Sequence, residues 1–313
     1  MKLTSSFLTA LGVAAVAATT AQAEQLVSYL DSTGTGRVGL FNNSGTLLQS
    51  YSDTSFAYDN IQRITTDNSG NVYIANAGGG VNSGIFKFNI ATGAFAGNLV
   101  TGAPGQLGPA NYQFTGVGFN PNQPNNILYA GTTPVGAAQQ QLGIINSSTG
   151  AFVNAYTGGG YSNVSYDPLG NVLVSALGGA GFSQYFDAST AQYVAPFDNP
   201  LSNGQTVVTL GSTRYYGTTD GKIRNAANAV IYDFGATSSI YQIATDGTNL
   251  LAADISNGVI STISTSGTLL NSYDVGNDAR GVAFTAVPEP STYAMIGLSG
   301  LGLLAFRRRF RRA

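Results

Sequence analysis

The chain has 313 residues and contains no cysteine, no histidine and no tryptophan. Without cysteine it can form neither a disulfide framework nor a thiolate nucleophile. Without histidine it lacks the side chain whose ordinary pKa suits acid–base chemistry near neutral pH. Any catalysis would have to rely on carboxylate, serine, tyrosine or lysine groups, so the composition does not favour an enzyme.

Charged residues are also scarce, at 9% of the chain. From Glu24 to Val287 there are 14 acidic residues and only 7 basic ones, so this region carries an excess of negative charge. Nucleic-acid-binding domains present basic faces. We therefore expect no nucleic-acid partner.

The N-terminus has the pattern of a secretory signal. Lys2 precedes an apolar stretch at 7–18, and Ala21-Gln22-Ala23 supplies the small residues that signal peptidase requires. The pattern predicts a signal helix at 1–23, with Ala21 and Ala23 at the cleavage site. The alternative is an N-terminal membrane anchor, but Gly12 and Thr19-Thr20 interrupt the apolar stretch.

The C-terminus combines a proline motif, an apolar run and a basic cluster. The motif is Val287-Pro288-Glu289-Pro290, and the uncharged run from Ser291 to Phe306 is somewhat shorter than the roughly 20 residues of a full spanning helix. We predict a single membrane helix here. Arginines near a membrane helix favour the cytoplasmic side, and those that follow the run are Arg307, Arg308, Arg309, Arg311 and Arg312.

This tail resembles the PEP-CTERM sorting signal of exopolysaccharide-producing Gram-negative bacteria, and the resemblance is confined to 287–313. It implies that an exosortase, a membrane-embedded transpeptidase, recognises Pro288-Glu289-Pro290 and removes the helix. It also implies a precursor anchored in the inner membrane with the body outside the cytoplasm, and then a surface or extracellular product. The alternative is an ordinary C-terminal anchor.

The region between the two ends consists of repeats. Short β-branched or aromatic runs alternate with turns rich in Gly, Asn, Ser and Thr, which is typical of many short strands. One unit contains runs at 61–67, 72–75, 84–89 and 94–100. The second run of each unit recurs about every 45 residues, a spacing typical of β-propeller blades, with equivalent positions at Leu26, Val72, Ile127, Val172, Arg214 and Leu250.

The two ends of the repeat region complement each other. The region opens with a second run and closes with 279–285, which has the character of a first run. The sequence therefore predicts an all-β, six-bladed β-propeller closed by pairing of its N- and C-terminal strands, which would hide the sheet edges. A β-sandwich or a β-helix fits the spacing less well. The predicted divisions are a signal peptide at 1–23, the propeller at 24–286 and a sorting segment at 287–313.

The turn between the first and second runs also has a family resemblance. Asp67-Asn68-Ser69-Gly70-Asn71 and the segment 167–171 resemble turns of NHL-type and streptogramin-lyase-like propeller repeats, and 246–249 is a degenerate copy. Lyases of that kind need a histidine, so the resemblance does not imply their activity. In a tight turn Asp accepts backbone hydrogen bonds and Gly takes the left-handed conformation.

Several residues are candidates for binding. The turns at Asp67 and Asp167 have two interpretations, calcium loops or structural turns, and the second fits the hairpin better. Calcium-dependent lactonase-type propellers use carboxylate and asparagine ligands around a central ion, and a set of Asp31, Asp67, Asp167 and Asp254 stays open as an alternative, although nothing in the sequence aligns these residues on one face. Glycine runs at 78–80, 158–160 and 178–179 lack the helix of a phosphate site and are interpreted as connections.

Two further groups have a binding and a structural interpretation. Arg214, Lys222 and Arg224 would either bind an acidic sugar or form a solvated strand face. Four tyrosines would either stack on sugar rings or pack within the sheets, which is the usual role of strand aromatics; they are Tyr161, Tyr215, Tyr216 and Tyr241.

The sequence thus predicts an exported, non-enzymatic β-propeller that is sorted by an exosortase and binds or supports the envelope, exopolysaccharide or biofilm. The alternative is a calcium-dependent hydrolase or lactonase with a carboxylate site in the propeller channel. The expected partners are signal peptidase, the exosortase, the membrane, and a polysaccharide or envelope protein. No catalytic or cofactor-binding residue is assigned, and calcium is the one cofactor considered.

Overall fold

The computed structural model describes residues 23–52, 60–67, 69–78, 83–101, 113–120, 122–123, 125–132, 140–157, 161–166, 172–176, 183–187, 192–196 and 203–285. Residues Glu24–Thr285 form one compact unit. The predicted signal helix, except for Ala23, and the predicted sorting segment lie outside the described residues. Nowhere in the described ranges is there a helix with the length and apolarity of a membrane span.

Within these ranges the chain forms 24 strands. In chain order they are β1 (Gln25–Leu30), β2 (Gly36–Phe41), β3 (Leu47–Ser50), β4 (Ile61–Thr66), β5 (Asn71–Ala77), β6 (Ser83–Asn89), β7 (Phe95–Thr101), β8 (Gln113–Phe119), β9 (Asn126–Thr132), β10 (Gln140–Asn146), β11 (Phe152–Thr157) and β12 (Tyr161–Tyr166). They continue as β13 (Val172–Ala176), β14 (Ser183–Asp187), β15 (Gln192–Pro196), β16 (Gly204–Leu210), β17 (Thr213–Thr218), β18 (Lys222–Asn225), β19 (Val230–Asp233), β20 (Ile240–Thr245), β21 (Asn249–Asp254), β22 (Val259–Ser264), β23 (Leu269–Asp274) and β24 (Asp278–Phe284).

The described strands form six four-stranded antiparallel sheets. Five follow the chain directly, in the orders β4-β5-β6-β7, β8-β9-β10-β11, β12-β13-β14-β15, β16-β17-β18-β19 and β20-β21-β22-β23. The sixth has the order β24-β1-β2-β3, so it combines the last strand with the first three. In it Val27 lies opposite Val282, and the register shifts by one residue between Ser28 and Tyr29. The last strand of the described residues is therefore paired with the first.

Among the side chains that the structure describes, those of the fourth strands are the least buried. In β5 the residues from Val72 to Ala77 are all buried, as expected of a strand covered on both faces. In the fourth strands β3 and β23, apolar residues such as Leu48 and Leu270 are half exposed. The sheets thus pack against one another through their first three strands, and the fourth strands whose side chains are described face solvent.

The first strand of each sheet contacts the first strands of two other sheets. The contacts run from β24 to β4, β8, β12, β16 and β20, and from β20 back to β24. We call these six strands the inner strands. Each has a buried β-branched residue at an equivalent position, which suits a strand packed on its neighbours, and these residues are Ile64, Val117, Val164, Val207, Ile243 and Val282.

Each inner strand is the edge strand of its sheet, so the backbone along one of its sides pairs with no other strand of that sheet. Buried backbone groups need partners, and side chains of neighbouring inner strands supply several of them. The Gln242 side chain accepts hydrogen bonds from the backbone N–H groups of Ile64 and Val282 and donates one to the Ile64 carbonyl. The Thr206 hydroxyl accepts one from the N–H of Ile243. These bonds join sheets that share no strand pairing.

Candidate functional site

A cavity of about 200 Å³ lies among the C-terminal halves of the inner strands, and we call it the inner-strand cavity. All six inner strands contribute to its lining, because equivalent residues of the six sheets meet there. The lining runs along Ile64–Thr66, Val117–Phe119, Asn163–Tyr166, Val207–Val208, Gln242–Thr245 and Val282–Phe284. Most residues at its outer end are half-buried, so the cavity is accessible to solvent there.

The polar lining of this cavity is neutral. Thr66 donates its hydroxyl proton to the carbonyl of Phe284 at 3.0 Å, and Ser165 donates its proton to the carbonyl of Val207 at 3.0 Å. The hydroxyl of Thr245 accepts a hydrogen bond from the N–H of Gly247. Both acceptor and donor capacity therefore remain in the lining, since a hydroxyl has one proton and two lone pairs. None of the described lining residues is Asp, Glu, Lys or Arg.

Three aromatic residues stand at the outer end of the cavity: Phe119, Tyr166 and Phe284. Each is the last aromatic residue of its inner strand, and each is half-buried. A pocket that combines aromatic surface with a few fixed polar groups is the usual environment of a small-molecule site.

Arg63 lies next to the opposite end of the cavity, one residue before Ile64 of the lining, and its side chain is fully buried. Its guanidinium donates to the carbonyls of Thr115 at 2.9 Å, Tyr241 at 3.2 Å and Gln205 at 3.5 Å. These three carbonyls belong to the inner strands β8, β20 and β16. We call Arg63 and these partners the Arg63 cluster.

The ring of Tyr241 forms a second part of this environment. The guanidinium carbon of Arg63 lies 3.9 Å from the ring centroid, a cation–π arrangement. Burial lowers the pKa of Arg63, and its interaction with Tyr241 acts in the opposite direction. The Tyr241 hydroxyl also donates to the side chain of Gln62. Tyr241 is therefore engaged by the Arg63 cluster and does not present a free stacking surface.

The Asp67 turn is a structural turn in the described residues. One carboxylate oxygen of Asp67 accepts from the backbone N–H groups of Ser69 and Asn71, both at 2.8 Å. The other accepts from the Asn71 side chain at 2.8 Å and from the Tyr73 hydroxyl at 2.9 Å. Four hydrogen bonds thus occupy this carboxylate, and burial together with Asp67 raises the pKa of Tyr73.

The proposed carboxylate set is not brought together. Asp67 follows an inner strand, whereas Asp31 and Asp254 stand at the ends of second strands, β1 and β21. Consecutive antiparallel strands end at opposite edges of a sheet, so Asp67 lies at the cavity end and the other two lie at the far end. Asp167 and most residues of the glycine runs lie outside the described residues. No group of three or more carboxylates suited to a metal occurs in the part of the chain that is described.

Asp31 and Asp254 have local structural partners. Hydrogen bonds from Thr33 and from Arg37 hold the pKa of Asp31 below its ordinary value. Asp254 accepts from the N–H of Ser239 at 3.0 Å and from the Asn257 side chain at 2.7 Å. Each carboxylate thus caps the turn in which it lies.

The basic trio forms a paired strand face. Lys222 and Arg224 both contact one oxygen of Asp220, at 2.9 Å and 3.4 Å. Burial raises the pKa of Asp220, but hydrogen bonds from Thr218 and Lys222, with the nearby positive charges, outweigh it and lower that pKa to about 2. Arg214 has partners as well. These contacts favour the structural interpretation over an acidic-sugar site.

The stacking interpretation also does not hold for two of the tyrosines. Tyr215 and Tyr216 are buried in the hydrophobic core, Tyr215 with Ile223 and Tyr216 with Leu173. The side chain of Tyr161 lies outside what the structure describes. The aromatic residues at the cavity are instead Phe119, Tyr166 and Phe284, which sequence reasoning did not single out.

Comparisons with known proteins bear on the fold and on the tail. Among solved structures, a chain in the crystal structure of a nidogen–laminin complex is similar with a TM-score of 0.61 and 11% identity, covering 86% of this chain and 99% of its own. A protein of unknown function from Bacteroides caccae is similar with a TM-score of 0.60 and 10% identity, covering 85% and 100%. At these identities the likeness shows the fold alone, an all-β, propeller-like architecture.

No curated protein matches the sequence. A family model described as the PEP-CTERM protein-sorting motif matches residues 286–312. Such a motif implies exosortase-dependent export and association with the envelope, and it indicates a membrane-anchored precursor. The chain therefore carries a PEP-CTERM protein-sorting motif at its C-terminus, after an all-β body of four-stranded sheets.

Proposed function

We propose that the chain is an exported, exosortase-sorted protein whose body is a six-bladed β-propeller that binds or supports a component of the envelope, exopolysaccharide or biofilm. Residues 1–23 are the signal removed after Ala23, 24–286 form the propeller, and 287–313 form the sorting segment. The propeller has no catalytic role. It lies outside the cytoplasm, first on the inner-membrane precursor and then at the cell surface or beyond it.

Three structural relationships support the propeller. The sheets number six in the described residues, each with four antiparallel strands. Their inner strands contact one another in cyclic order, and β24 pairs with β1. A radial repeat of this kind leaves only short outer edges exposed.

The binding role depends above all on the neutral lining of the inner-strand cavity. Hydroxyl and aromatic residues meet there without any charged side chain among those described. Such a lining can hold a polar, uncharged ligand, but it supplies neither a general base nor a nucleophile activated by one. The calcium-dependent hydrolase would need carboxylates at this position, and no observation favours it.

Sorting is tested by replacing Pro288, Glu289 and Pro290 with alanine in the full chain, expressed in an exosortase-containing host. We expect the variant to stay full-length in the membrane fraction, whereas the unaltered chain is shortened, as judged by mass. Ser299→Ala, within the apolar run, is the matched control and should be processed normally. Normal shortening of the triple variant would contradict the sorting role.

The binding role is tested by fractionating the host. We expect the processed protein to co-sediment with the cell envelope or with isolated exopolysaccharide, and to be released only by conditions that unfold it or dissolve the polymer. Recovery of all the protein as a free species, at every stage of growth, would overturn this part of the proposal.

A further inference from the structure

The Arg63 cluster lies on the N-terminal side of the residues that line the inner-strand cavity, because Arg63, Thr115, Gln205 and Tyr241 each precede the lining residues of their strands. In the cyclic order of contacts, β16 is the inner strand farthest from β4, because two inner strands lie between them in either direction. Arg63 extends from β4 to the carbonyl of Gln205, the residue that follows the first residue of β16, and to carbonyls of β8 and β20. The fully buried guanidinium thus spans the space enclosed by the inner strands. A ligand can enter the cavity only from the end at which Phe119, Tyr166 and Phe284 lie.

The lining of the inner-strand cavity disfavours a charged ligand. Transfer of an unpaired charge from water into a buried site is strongly unfavourable, and no described lining residue offers an opposite charge. Thr66 and Ser165 already donate their protons to carbonyls, so their oxygens are left to accept hydrogen bonds from a ligand hydroxyl. A ligand that brings several hydroxyl donors and no charge satisfies this arrangement.

The size of the cavity limits the ligand to a single ring. An engineered cavity of about 150 Å³ admits benzene, and this one measures about 200 Å³. A pyranose ring has hydroxyls at its rim and C–H groups on its faces. The three aromatic residues pack partly against the core clusters, and their remaining exposed parts offer apolar surface to such faces.

We propose that the inner-strand cavity binds the terminal residue of a neutral saccharide. The inference rests on the proposed function, since it names the class of ligand for the same propeller. Because the cavity is closed at the Arg63 cluster, one sugar residue enters it and the next residue of the polymer stays at the aromatic rim. Binding therefore recognises the ends of a polysaccharide and not its interior.

The test uses the full chain purified in detergent, with calorimetry against cellobiose, maltose and lactose and against a glucuronic-acid-terminated disaccharide. We expect at least one neutral disaccharide to bind, and the acidic one to bind at least tenfold more weakly. Affinity should rise from monosaccharide to disaccharide and then change less than twofold up to the hexasaccharide. A steady increase with length would overturn recognition of the chain end.

Variants locate the site. Ala244 lines the cavity and also packs against the core cluster that contains Val27 and Leu251, so Ala244→Leu should narrow the cavity and lower affinity at least tenfold. Thr66→Val keeps the shape, removes an acceptor, and should lower affinity about threefold to tenfold even if Ala244→Leu does not fold. Thr248→Val, at an exposed turn beyond β20, is the matched control and should bind normally. Equal binding by folded Ala244→Leu or by Thr66→Val would place the sugar elsewhere and overturn the inference.

The two proposals fail in different ways. If the protein co-sediments with envelope or polymer but binds no neutral saccharide, the inference is wrong and the binding role stands. If it neither co-sediments nor binds a saccharide, both are wrong.

Discussion

Val27 and Val282 lie directly opposite each other on β1 and β24, one near each end of the described chain. Both are fully buried and belong to one hydrophobic cluster with Leu251, Ala253 and Ile260 of the adjacent sheet. This pair therefore joins the two ends of the body to each other and to their neighbour. Truncation of either side chain should therefore lower the free energy of global unfolding.

We expect Val27→Ala and Val282→Ala each to lower the free energy of unfolding by about 2 kcal/mol, since each removes two buried carbon groups. In the double variant the losses should be non-additive by at least about 0.5 kcal/mol, because the residues are in contact. Urea denaturation of the four proteins measures both quantities. Val153→Ala, at a residue 54% exposed, should change stability by less than about 0.5 kcal/mol. Strict additivity would contradict direct coupling of the ends.

Arg63 is expected to be the residue that the body tolerates losing least. Arg63→Ala leaves carbonyls of three other inner strands without this donor and should destabilise the protein by roughly 3 kcal/mol or more. Arg63→Lys should recover little of the stability that Arg63→Ala loses, because an ammonium lacks the planar fork of the guanidinium. Arg37→Ala breaks an ion pair on a side chain that is 52% exposed and should cost less than about 1 kcal/mol. Equal losses at Arg63 and Arg37 would contradict the bridging role.

The sequence predicts the strands well and the surroundings of the inner strands poorly. The run predicted at 61–67 is β4 at Ile61–Thr66, and the turn at Asp67 lies where its Asp and Gly indicated. Alternating β-branched residues and turn residues are local signals, so they can be read without knowledge of the fold. The contacts of Arg63 cannot be predicted from local signals, because its three carbonyl partners come from strands more than 50 residues away.

The residues that line the cavity can be recognised only in part from the sequence repeats. When the inner strands are aligned on their β-branched position, Thr66, Phe119, Tyr166, Thr245 and Phe284 occupy the position two residues later. An alignment of the repeats would have grouped them. It would not have shown that they line a cavity, because that depends on how the inner strands approach one another. Residue type alone singles out the four candidate tyrosines, and two of them, Tyr215 and Tyr216, are core residues.

Gly281 allows β24 to approach β4 closely. A Cβ atom at this position would lie 3.0 Å from both the carbonyl oxygen of Gln62 and the amide nitrogen of Ile64, and would also meet the hydroxyl of Ser28. We expect Gly281→Ala to lower the free energy of unfolding by about 1–3 kcal/mol through overpacking. Part of this loss should disappear in a Ser28→Ala background, which removes the hydroxyl. Thermal unfolding of the two single variants and the double variant measures the effect.

The control for Gly281 is Gly247→Ala. Gly247 has a φ of +91° and open space around its Cβ direction, so only backbone strain of about 1–2 kcal/mol is expected. This strain should not depend on Ser28. An equal response of both glycine variants to Ser28→Ala would refute the close approach of the two strands as the cause.

Tyr51 should make stability sensitive to alkaline pH. Burial, followed by the charge of Glu24, raises its pKa to about 12, and its hydroxyl donates to the carbonyl of Ile90 at 2.9 Å. Because the folded-state pKa exceeds the unfolded value of about 10, its contribution is complete below pH 10 and is lost as the pH rises towards 12. Tyr51→Phe should be about 1 kcal/mol less stable at pH 7.

That deficit of Tyr51→Phe should shrink or reverse between pH 10 and pH 12, as measured by urea denaturation at each pH. Alkaline pH affects the whole protein, so the informative quantity is the difference in stability between the two proteins. A difference that stays constant across the range would contradict an ionisation of Tyr51 coupled to folding.

The Asp67 turn should act through hydrogen bonds and be indifferent to calcium. Asp67→Asn replaces an acceptor oxygen with a donor, so the bonds from Tyr73 and from the Asn71 side chain are lost and about 1–3 kcal/mol of stability should go with them. Asp246→Asn, in an exposed turn, should lose less than about 1 kcal/mol. Calcium or a chelator should shift the melting temperature of the unaltered chain by less than about 1 °C. A carboxylate that serves as a calcium ligand cannot also accept four protein hydrogen bonds. A calcium-induced rise in melting temperature that Asp67→Asn abolishes would therefore contradict the structural turn and establish a metal loop.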